Sequence, residues 1–177
     1  LAGGVLVSLP LLWTFMAGYQ RARISNFLNP AADPGAQYNV NQALISIGSG
    51  GWFGAGYNQA SQVQSRFLKV RHTDFIFSAT AAEFGLVGAL IMILALALVV
   101  LRILKVARAT SDQFGAYVCY GIATVIFVQA FLNIGMNLNL SPVTGLPLPL
   151  VSYGGSALLA SGVGLGLVQS VALHQRK

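Results

Sequence analysis

Long apolar stretches separated by polar segments dominate the chain. A membrane-spanning helix needs about 20 mostly apolar residues, and several segments of that length follow one another. The first contains no charged residue, the second is interrupted only by Glu83, and residues 113–173 contain no Asp, Glu, Lys or Arg at all. The pattern predicts an all-α, polytopic integral membrane protein of about four transmembrane helices. The predicted spans lie near residues 1–19, 76–101, 114–133 and 155–173.

Composition agrees with this interpretation. Hydrophobic residues make up 55% of the chain and charged residues 8%, whereas a soluble domain carries about 25% charged residues. This excludes an ordinary soluble domain, a disordered tail and a nucleic-acid-binding module. The net charge of +6 favours contact with anionic lipid headgroups or with an anionic lipid-linked substrate. The lone Cys119 lies in an apolar run, which is typical of a small packed core residue.

Four crossings place both chain ends and the 102–113 connection on one side of the membrane. The 20–74 segment and the 134–154 connection then share the other side. Basic residues are equally numerous on the two sides, but the positive-inside rule gives more weight to short segments than to long loops. The termini are therefore predicted to be cytoplasmic and the 20–74 loop external, although Arg21 and Arg23, close to a span end, favour the opposite orientation.

The 20–74 loop is too long for a simple connector. Residues 41–47 could form a short amphipathic helix on the membrane surface. The glycine-rich stretch 48–56 follows, and it matches neither a P-loop nor a dinucleotide-binding pattern. Dense glycine permits tight turns and close backbone approach. Two interpretations stay open: a loop that contacts ligand, and a flexible loop whose Trp52 and Phe53 anchor it at the interface.

Four polar and basic residues precede Asp74 at the mouth of the second span. They are Arg66, Lys69, Arg71 and His72. One interpretation is that Thr73 or Asp74 caps the helix that follows. The other is that Asp74 is a carboxylate base beside cations that counter phosphate charge. A single carboxylate with one His makes a poor metal site, so no cofactor is evident and a divalent cation is not indicated.

Polar residues also occur inside the predicted spans. Glu83 is an acid within the second span, where a charge is costly and a functional role is the default hypothesis. Gln129, Asn133 and Asn137 recur every four residues and form a polar stripe. Such a stripe usually hydrogen-bonds neighbouring helices. We therefore expect Glu83, Gln129 and Asn133 to be structural, with Glu83 bonded to a neighbour such as Gln129 or Asn133; substrate contact is the alternative.

Three sequence blocks together resemble the SEDS family of bacterial cell-wall proteins. They are Asn41–Gly54, His72–Phe77 and Pro142–Ser156. Their order and spacing match the family as well as their residues do, and the match is to its C-terminal part. The form of residues 142–149 resembles the elongation branch of the family more than its division branch.

The resemblance implies a peptidoglycan glycosyltransferase of the bacterial cytoplasmic membrane. Such an enzyme polymerises lipid II, which is linked to undecaprenyl pyrophosphate, on the outer face. It works among membrane lipids, with a class B penicillin-binding protein as partner. The resemblance places the essential aspartate of the family on Asp74, as the general base for the acceptor 4-hydroxyl. Substrate contacts are expected in the same blocks, from His72, Thr73, Ser152 and Tyr153. The charges of Lys69 and Arg71, just before the second block, make them candidates for stabilising the leaving diphosphate.

Two other functions stay open from the sequence. The first is a lipid II flippase, in which Glu83 and the polar stripe line a translocation path. The second is a non-catalytic membrane scaffold for a wall-building complex. An acid beside cations at the external end of a span favours the polymerase, because a flippase is expected to carry its key charges near the middle of the membrane.

Overall fold

The computed structural model describes residues 16–29, 34–56 and 74–174. Within these ranges the regular structure is helical and contains no strand, which confirms the predicted all-α class. The helices in these ranges are α1 (Gly18–Leu28), α2 (Pro34–Ser49), α3 (Ile76–Ala109), α4 (Gln113–Asn137) and α5 (Gly155–His174).

Three of these helices, α3, α4 and α5, are long and apolar enough to cross a membrane. They coincide with the spans predicted near 76–101, 114–133 and 155–173. Large apolar side chains on all three point outward, as lipid-facing residues do: Leu94, Phe131 and Leu159 are each well over half exposed. The span predicted at 1–19 lies almost entirely outside the described residues.

Helix α3 extends eight residues past its predicted end at 101, because Ala109 is its last residue. Arg102, Lys105 and Arg108 therefore lie on the helix, and the predicted 102–113 connection shrinks to residues 110–112. Cations are favourable near a helix C-terminus, and their aliphatic stems can cover apolar surface while the charges reach water. A drop in hydropathy marked the end of the apolar run here, and the helix continues beyond it.

The predicted 20–74 loop contains regular structure that its polar composition concealed. Helix α1 covers its first residues, and α2 replaces the short helix predicted at 41–47. Helix α2 begins at Pro34. Proline suits the first helical position because its missing N–H would have no intrahelical partner there.

The three long helices pack in sequence, α3 against α4 and α4 against α5. At the end of the bundle where α3 ends and α4 begins, small and branched apolar side chains interlock. This cluster comprises Ile103, Ala107, Cys119, Ala123, Ile126 and Val168. Cys119 is fully buried in it, which confirms its predicted role as a packed core residue. The same end is closed by Asp112, which caps α4 by accepting hydrogen bonds from the backbone N–H groups of Phe114 and Gly115 at 3.1 and 2.9 Å.

Helix α3 is broken at Gly85, whose backbone is non-helical with φ 69° and ψ −165°. The glycine loop, residues 50–56, lies against this break and exchanges backbone hydrogen bonds with both sides of it. The bonds run from Ala55 N to Ala82 O, Gly56 N to Glu83 O, Leu86 N to Gly51 O and Val87 N to Trp52 O, at 3.0, 3.1, 2.9 and 3.2 Å. In a membrane, backbone groups released by a helix break must be paired within the protein. The glycine loop supplies these partners.

Only glycine allows so close an approach. A Cβ on Gly54 would lie 2.1 Å from the Glu83 carbonyl oxygen, and one on Gly85 would lie 2.4 Å from the Gly54 nitrogen. The close backbone approach indicated by the sequence is therefore present, and its partner is α3. Trp52 and Phe53, at the tip of the loop, are 71% and 83% exposed, as expected for interfacial anchors.

Candidate functional site

Asp74 lies immediately before α3 and does not cap it. The N-cap residue is Phe75, which makes no side-chain cap, and its ring is buried beside Ala43 of α2. Within the described residues, no hydrogen bond joins the Asp74 carboxylate to a backbone N–H of α3. The hypothesis that Asp74 is a helix cap is therefore wrong. The buried Phe75 decides the local geometry, because it draws the chain into the core one residue before the helix begins.

The backbone of Asp74 is held by two buried amides of α4. The Nδ2 atoms of Asn133 and Asn137 both donate to the Asp74 carbonyl oxygen, each at 3.1 Å. Both asparagines have no exposed surface. A carbonyl that precedes a helix has no intrahelical donor, and burial would make an unpaired one costly. The two amides therefore fix the position from which the Asp74 side chain projects.

The same asparagines connect two further segments to this point. Asn133 Nδ2 also donates to the Leu146 carbonyl at 2.7 Å. Asn137 Oδ1 accepts hydrogen bonds from the buried Ser78 through both its backbone N–H and its hydroxyl. The start of α3, the end of α4 and the 142–146 segment are thus joined by one buried polar network. Directional bonds of this kind define a position more sharply than apolar contact does.

Arg23 of α1 brings a cation to the same place. Its guanidinium donates to the Thr144 carbonyl oxygen and lies 5.9 Å from the centroid of the Tyr19 ring. A Cβ on Gly145 would lie 3.6 Å from Arg23 Nη1 and 3.9 Å from Asp74 Oδ2. The two charged groups therefore both lie close to the same point beside Gly145. In the described part of the chain, no ion pair joins them.

In the sequence, Arg23 indicated only the membrane orientation, and nothing there revealed its place in the site. Arg23 and Asp74 are far apart in sequence, and no periodicity connects them. One local signal was available in the sequence: a glycine inside a proline-rich segment often marks a backbone that needs a positive φ. In the structure Gly145 has φ +71°. That signal alone does not identify Arg23 as the neighbour.

Four predicted substrate contacts, Lys69, Arg71, His72 and Thr73, lie outside the described residues. The other two, Ser152 and Tyr153, follow the proline-rich segment. Ser152 is buried, and its hydroxyl oxygen accepts a hydrogen bond from Leu148 N at 2.8 Å, which closes a turn. Leu150 within this turn has φ 63°, a strained value for a residue with a side chain. Tyr153 is 83% exposed.

The Glu83 side chain does not bond to the partners that the sequence suggested. Among the described side chains, no hydrogen bond joins Glu83 to Asn133 or Gln129, so this predicted pairing is wrong. The Asn133 amide is used by two backbone carbonyls, and Gln129 lines a cavity of about 330 Å³ between α4 and α5. The polar stripe therefore divides: its last two residues hold Asp74, and its first faces another helix.

The whole chain, residues 1–177, matches the model of the FtsW/RodA/SpoVE family, described as cell cycle proteins. The protein belongs to this family, which confirms the SEDS resemblance. The chain is 45% identical over 174 residues to the peptidoglycan glycosyltransferase MrdB of Escherichia coli (strain K12), covering 97% of this chain and 47% of MrdB. It is 40% identical over 178 residues to the probable peptidoglycan glycosyltransferase FtsW of Halomonas elongata, covering 98% of this chain and 45% of FtsW.

Two solved structures share the fold. A chain of a peptidoglycan synthase complex superposes with a TM-score of 0.77 at 32% identity, over 98% of this chain and 48% of that one. The crystal structure of a variant of the rod shape determining protein RodA of Thermus thermophilus gives a TM-score of 0.59 at 38% identity, over 76% and 40%. The chain thus spans about half the length of the relatives it matches.

Proposed function

We propose that this chain forms part of a peptidoglycan glycosyltransferase that polymerises lipid II, with Asp74 as the general base. One observation carries the proposal. Buried amides of Asn133 and Asn137 hold the Asp74 backbone, while its carboxylate lies near the Arg23 guanidinium beside Gly145 and does not cap α3. A positioned carboxylate at the end of a span is what proton abstraction at the membrane surface requires. Relatives named as peptidoglycan glycosyltransferases support the reaction class.

In the proposed reaction, Asp74 takes the proton from the 4-hydroxyl of the acceptor sugar. The oxygen forms a bond to the anomeric carbon of the donor, and the bond from that carbon to the diphosphate breaks. Undecaprenyl diphosphate leaves with the electron pair. A general base contributes about 10²–10⁴-fold to such a step. The two asparagines contribute by keeping the base in place, because small misplacements of catalytic groups are costly.

We also propose that the Asp74 end of the bundle faces outward. Arg102, Lys105 and Arg108 all lie near the opposite end of α3, and cations that flank a span favour the cytoplasmic side. Lipid II would then be polymerised on the outer face, where a class B penicillin-binding protein could crosslink the product. Likeness to a chain of a peptidoglycan synthase complex supports such a partner.

One observation favours lipid translocation as a second function. Transporters often build their sites from discontinuous helices, and α3 is broken beside Glu83. However, backbone groups on both sides of this break are paired with the glycine loop. Residues 86–109 alone are about 36 Å long and can cross a hydrocarbon core of about 30 Å. With Trp52 and Phe53 exposed beside it, the break is better placed at the interface than at mid-membrane.

The two functions are separated by reconstituting the full-length protein in vesicles that contain purified lipid II. We expect glycan strands to form on the face where Asp74 lies. Movement of lipid II between the leaflets, measured in the same vesicles without any polymer, would contradict the proposal and support translocation.

A further inference from the structure

We propose that Arg23 binds the diphosphate group of the lipid-linked substrate at a subsite beside Gly145 and Asp74. The identity of this ligand rests on the proposed function. The existence of an anion subsite rests on geometry within α1, the 142–146 segment and the start of α3.

The Arg23 side chain is held in place without having its charge neutralised. One N–H donates to the Thr144 carbonyl, and the guanidinium lies over the Tyr19 ring. These contacts fix the orientation of the planar group, which carries five N–H donors in total. Thr144 is its sole hydrogen-bond partner among the described residues. The remaining donors form a fork suited to a phosphate, which guanidinium groups can bind through two parallel hydrogen bonds.

Gly145 keeps the space between Arg23 and Asp74 open. A methyl group there would be in ordinary van der Waals contact with both, at 3.6 Å from Arg23 Nη1 and 3.9 Å from Asp74 Oδ2. Both groups thus border the same small volume, and the backbone between them carries no side chain. The φ of +71° at Gly145 favours glycine on conformational grounds as well. Within the described residues no ion pair joins the two groups, so the donors of Arg23 that Thr144 does not use can bind an anionic ligand beside Asp74.

The arrangement fits a displacement at a sugar carbon. The attacking oxygen and the leaving oxygen both lie next to the anomeric carbon, so a base and an anion-binding cation are needed near the same point. Asp74 would act on the attacking hydroxyl. Arg23 would bind the diphosphate as negative charge develops on it, which is where a fixed cation stabilises the transition state most.

The competing explanation is that Arg23 only tethers the 142–146 segment to α1. Arg23→Gln separates the two roles, because a glutamine amide can still donate to the Thr144 carbonyl but carries no charge. Arg23→Lys keeps the charge and loses the fork. Arg108→Gln, at the opposite end of α3, is the matched control for removing one arginine from the same bundle.

The test is binding of undecaprenyl diphosphate to the full-length protein in nanodiscs, with inorganic pyrophosphate as competitor. We expect Arg23→Gln to weaken binding about tenfold or more, as loss of a charged hydrogen bond does, and Arg23→Lys to weaken it less. Arg108→Gln should bind as the parent protein does. Pyrophosphate should compete with undecaprenyl diphosphate for the parent protein, and this competition should be lost in Arg23→Gln. Unchanged binding and competition in a folded Arg23→Gln protein would overturn the proposal in favour of the tether.

If Arg23→Gln does not fold, Gly145→Ala tests the same subsite from the other side. Its methyl group would occupy the space while both charged groups stay in place, so binding should fall by a similar factor. Gly51→Ala is the control for backbone strain, since Gly51 also has a positive φ, of 55°, but has open space around its Cβ position. Equal binding by Gly145→Ala and Gly51→Ala would overturn the proposal.

Repeating the measurement in the Asp74→Asn background distinguishes the two proposals. The binding measurement needs no turnover, so dependence on Arg23 in that background supports the subsite whatever Asp74 does. Polymer synthesis by Asp74→Asn would instead contradict the proposal that Asp74 is the general base, without affecting the proposed diphosphate subsite.

Discussion

The two ends of the helical bundle are built by different physical means. At the end where α3 passes into α4, apolar residues such as Ile103, Cys119 and Val168 interlock, and a single side-chain cap, Asp112, closes the turn. At the Asp74 end, buried amides bind main-chain carbonyls, and glycines with positive φ allow backbones to meet.

The difference shows which end is specified in detail. Apolar burial is non-directional, so many combinations of residues of suitable volume would hold the first end together. Hydrogen bonds to non-helical carbonyls are directional, and each loses its value if its donor moves. The Asp74 end therefore fixes a position in space, as expected where a side chain performs chemistry, and the other end only holds helices together.

The sharpest comparison is one chemical change made at each end. Asp74→Asn should reduce polymer synthesis from lipid II by at least about 100-fold, because asparagine cannot accept the proton. Asp112→Asn should leave synthesis within about twofold, since asparagine caps helices as well as aspartate does. Both variants of the full-length protein should be purified with the same thermal stability in detergent. Substantial synthesis by Asp74→Asn would show that Asp74 is not the general base. An equal loss of synthesis in Asp112→Asn would show that the two ends do not differ in function.

Sequence alone predicted the helical spans between the two ends and only part of each end. Three spans were predicted because lipid-facing helices must be apolar along their whole length. The end of α3 was placed too early because Arg102 and Lys105 interrupt the apolar run without ending the helix. Asp74 was identified from its block and its neighbours in the chain, which are local features.

Long-range partners were the part that sequence could not supply. The stripe of Gln129, Asn133 and Asn137 predicted hydrogen bonds to neighbouring helices, and Asn137 makes one to Ser78 of α3, but the expected partner, Glu83, was wrong. The carbonyl that Asn133 and Asn137 bind belongs to Asp74, and any backbone carbonyl looks the same in a sequence. Arg23 was missed for a related reason: its neighbours are the Thr144 carbonyl and a glycine, neither of which carries a charge to match.

The next largest effect is expected at the break in α3. Gly85→Ala should destabilise the folded protein by about 3 kcal/mol or more, because the positive φ costs about 1–2 kcal/mol and the added Cβ would lie 2.4–2.5 Å from the backbone of the glycine loop. Gly121→Ala, in α4 with open space around it, should stabilise by about 0.5–1 kcal/mol. Thermal unfolding in detergent measures both. Equal stability of the two variants would show that the glycine loop does not dock on α3.

The asparagine network should respond more moderately. Asn137→Ala leaves the Asp74 carbonyl with one donor fewer and removes the acceptor of buried Ser78, at about 1–3 kcal/mol. We expect polymer synthesis per folded molecule to fall about tenfold as the base loses its fixed position. Gln129→Ala, on the same stripe but facing α5, is the control and should keep synthesis near the parent level. Full activity in Asn137→Ala would show that Asp74 is positioned by other contacts.

The smallest expected effect is at Glu83, where the structure most changes what sequence suggested. Its side chain is half-buried and bonds to neither Gln129 nor Asn133, and its backbone carbonyl accepts from Gly56, which any residue at this position can do. Glu83→Gln should therefore keep polymer synthesis within about threefold of the parent protein, because the change disrupts no buried network.

If the protein instead moved lipid across the membrane, the ionisable group itself would matter, and Glu83→Gln would stop translocation while Asp74→Asn would not. Measuring both variants in a polymerisation assay and a translocation assay therefore gives opposite patterns for the two functions. Lost polymer synthesis in a normally folded Glu83→Gln protein would place Glu83 in the active site. The active site would then extend from Asp74 to the break in α3.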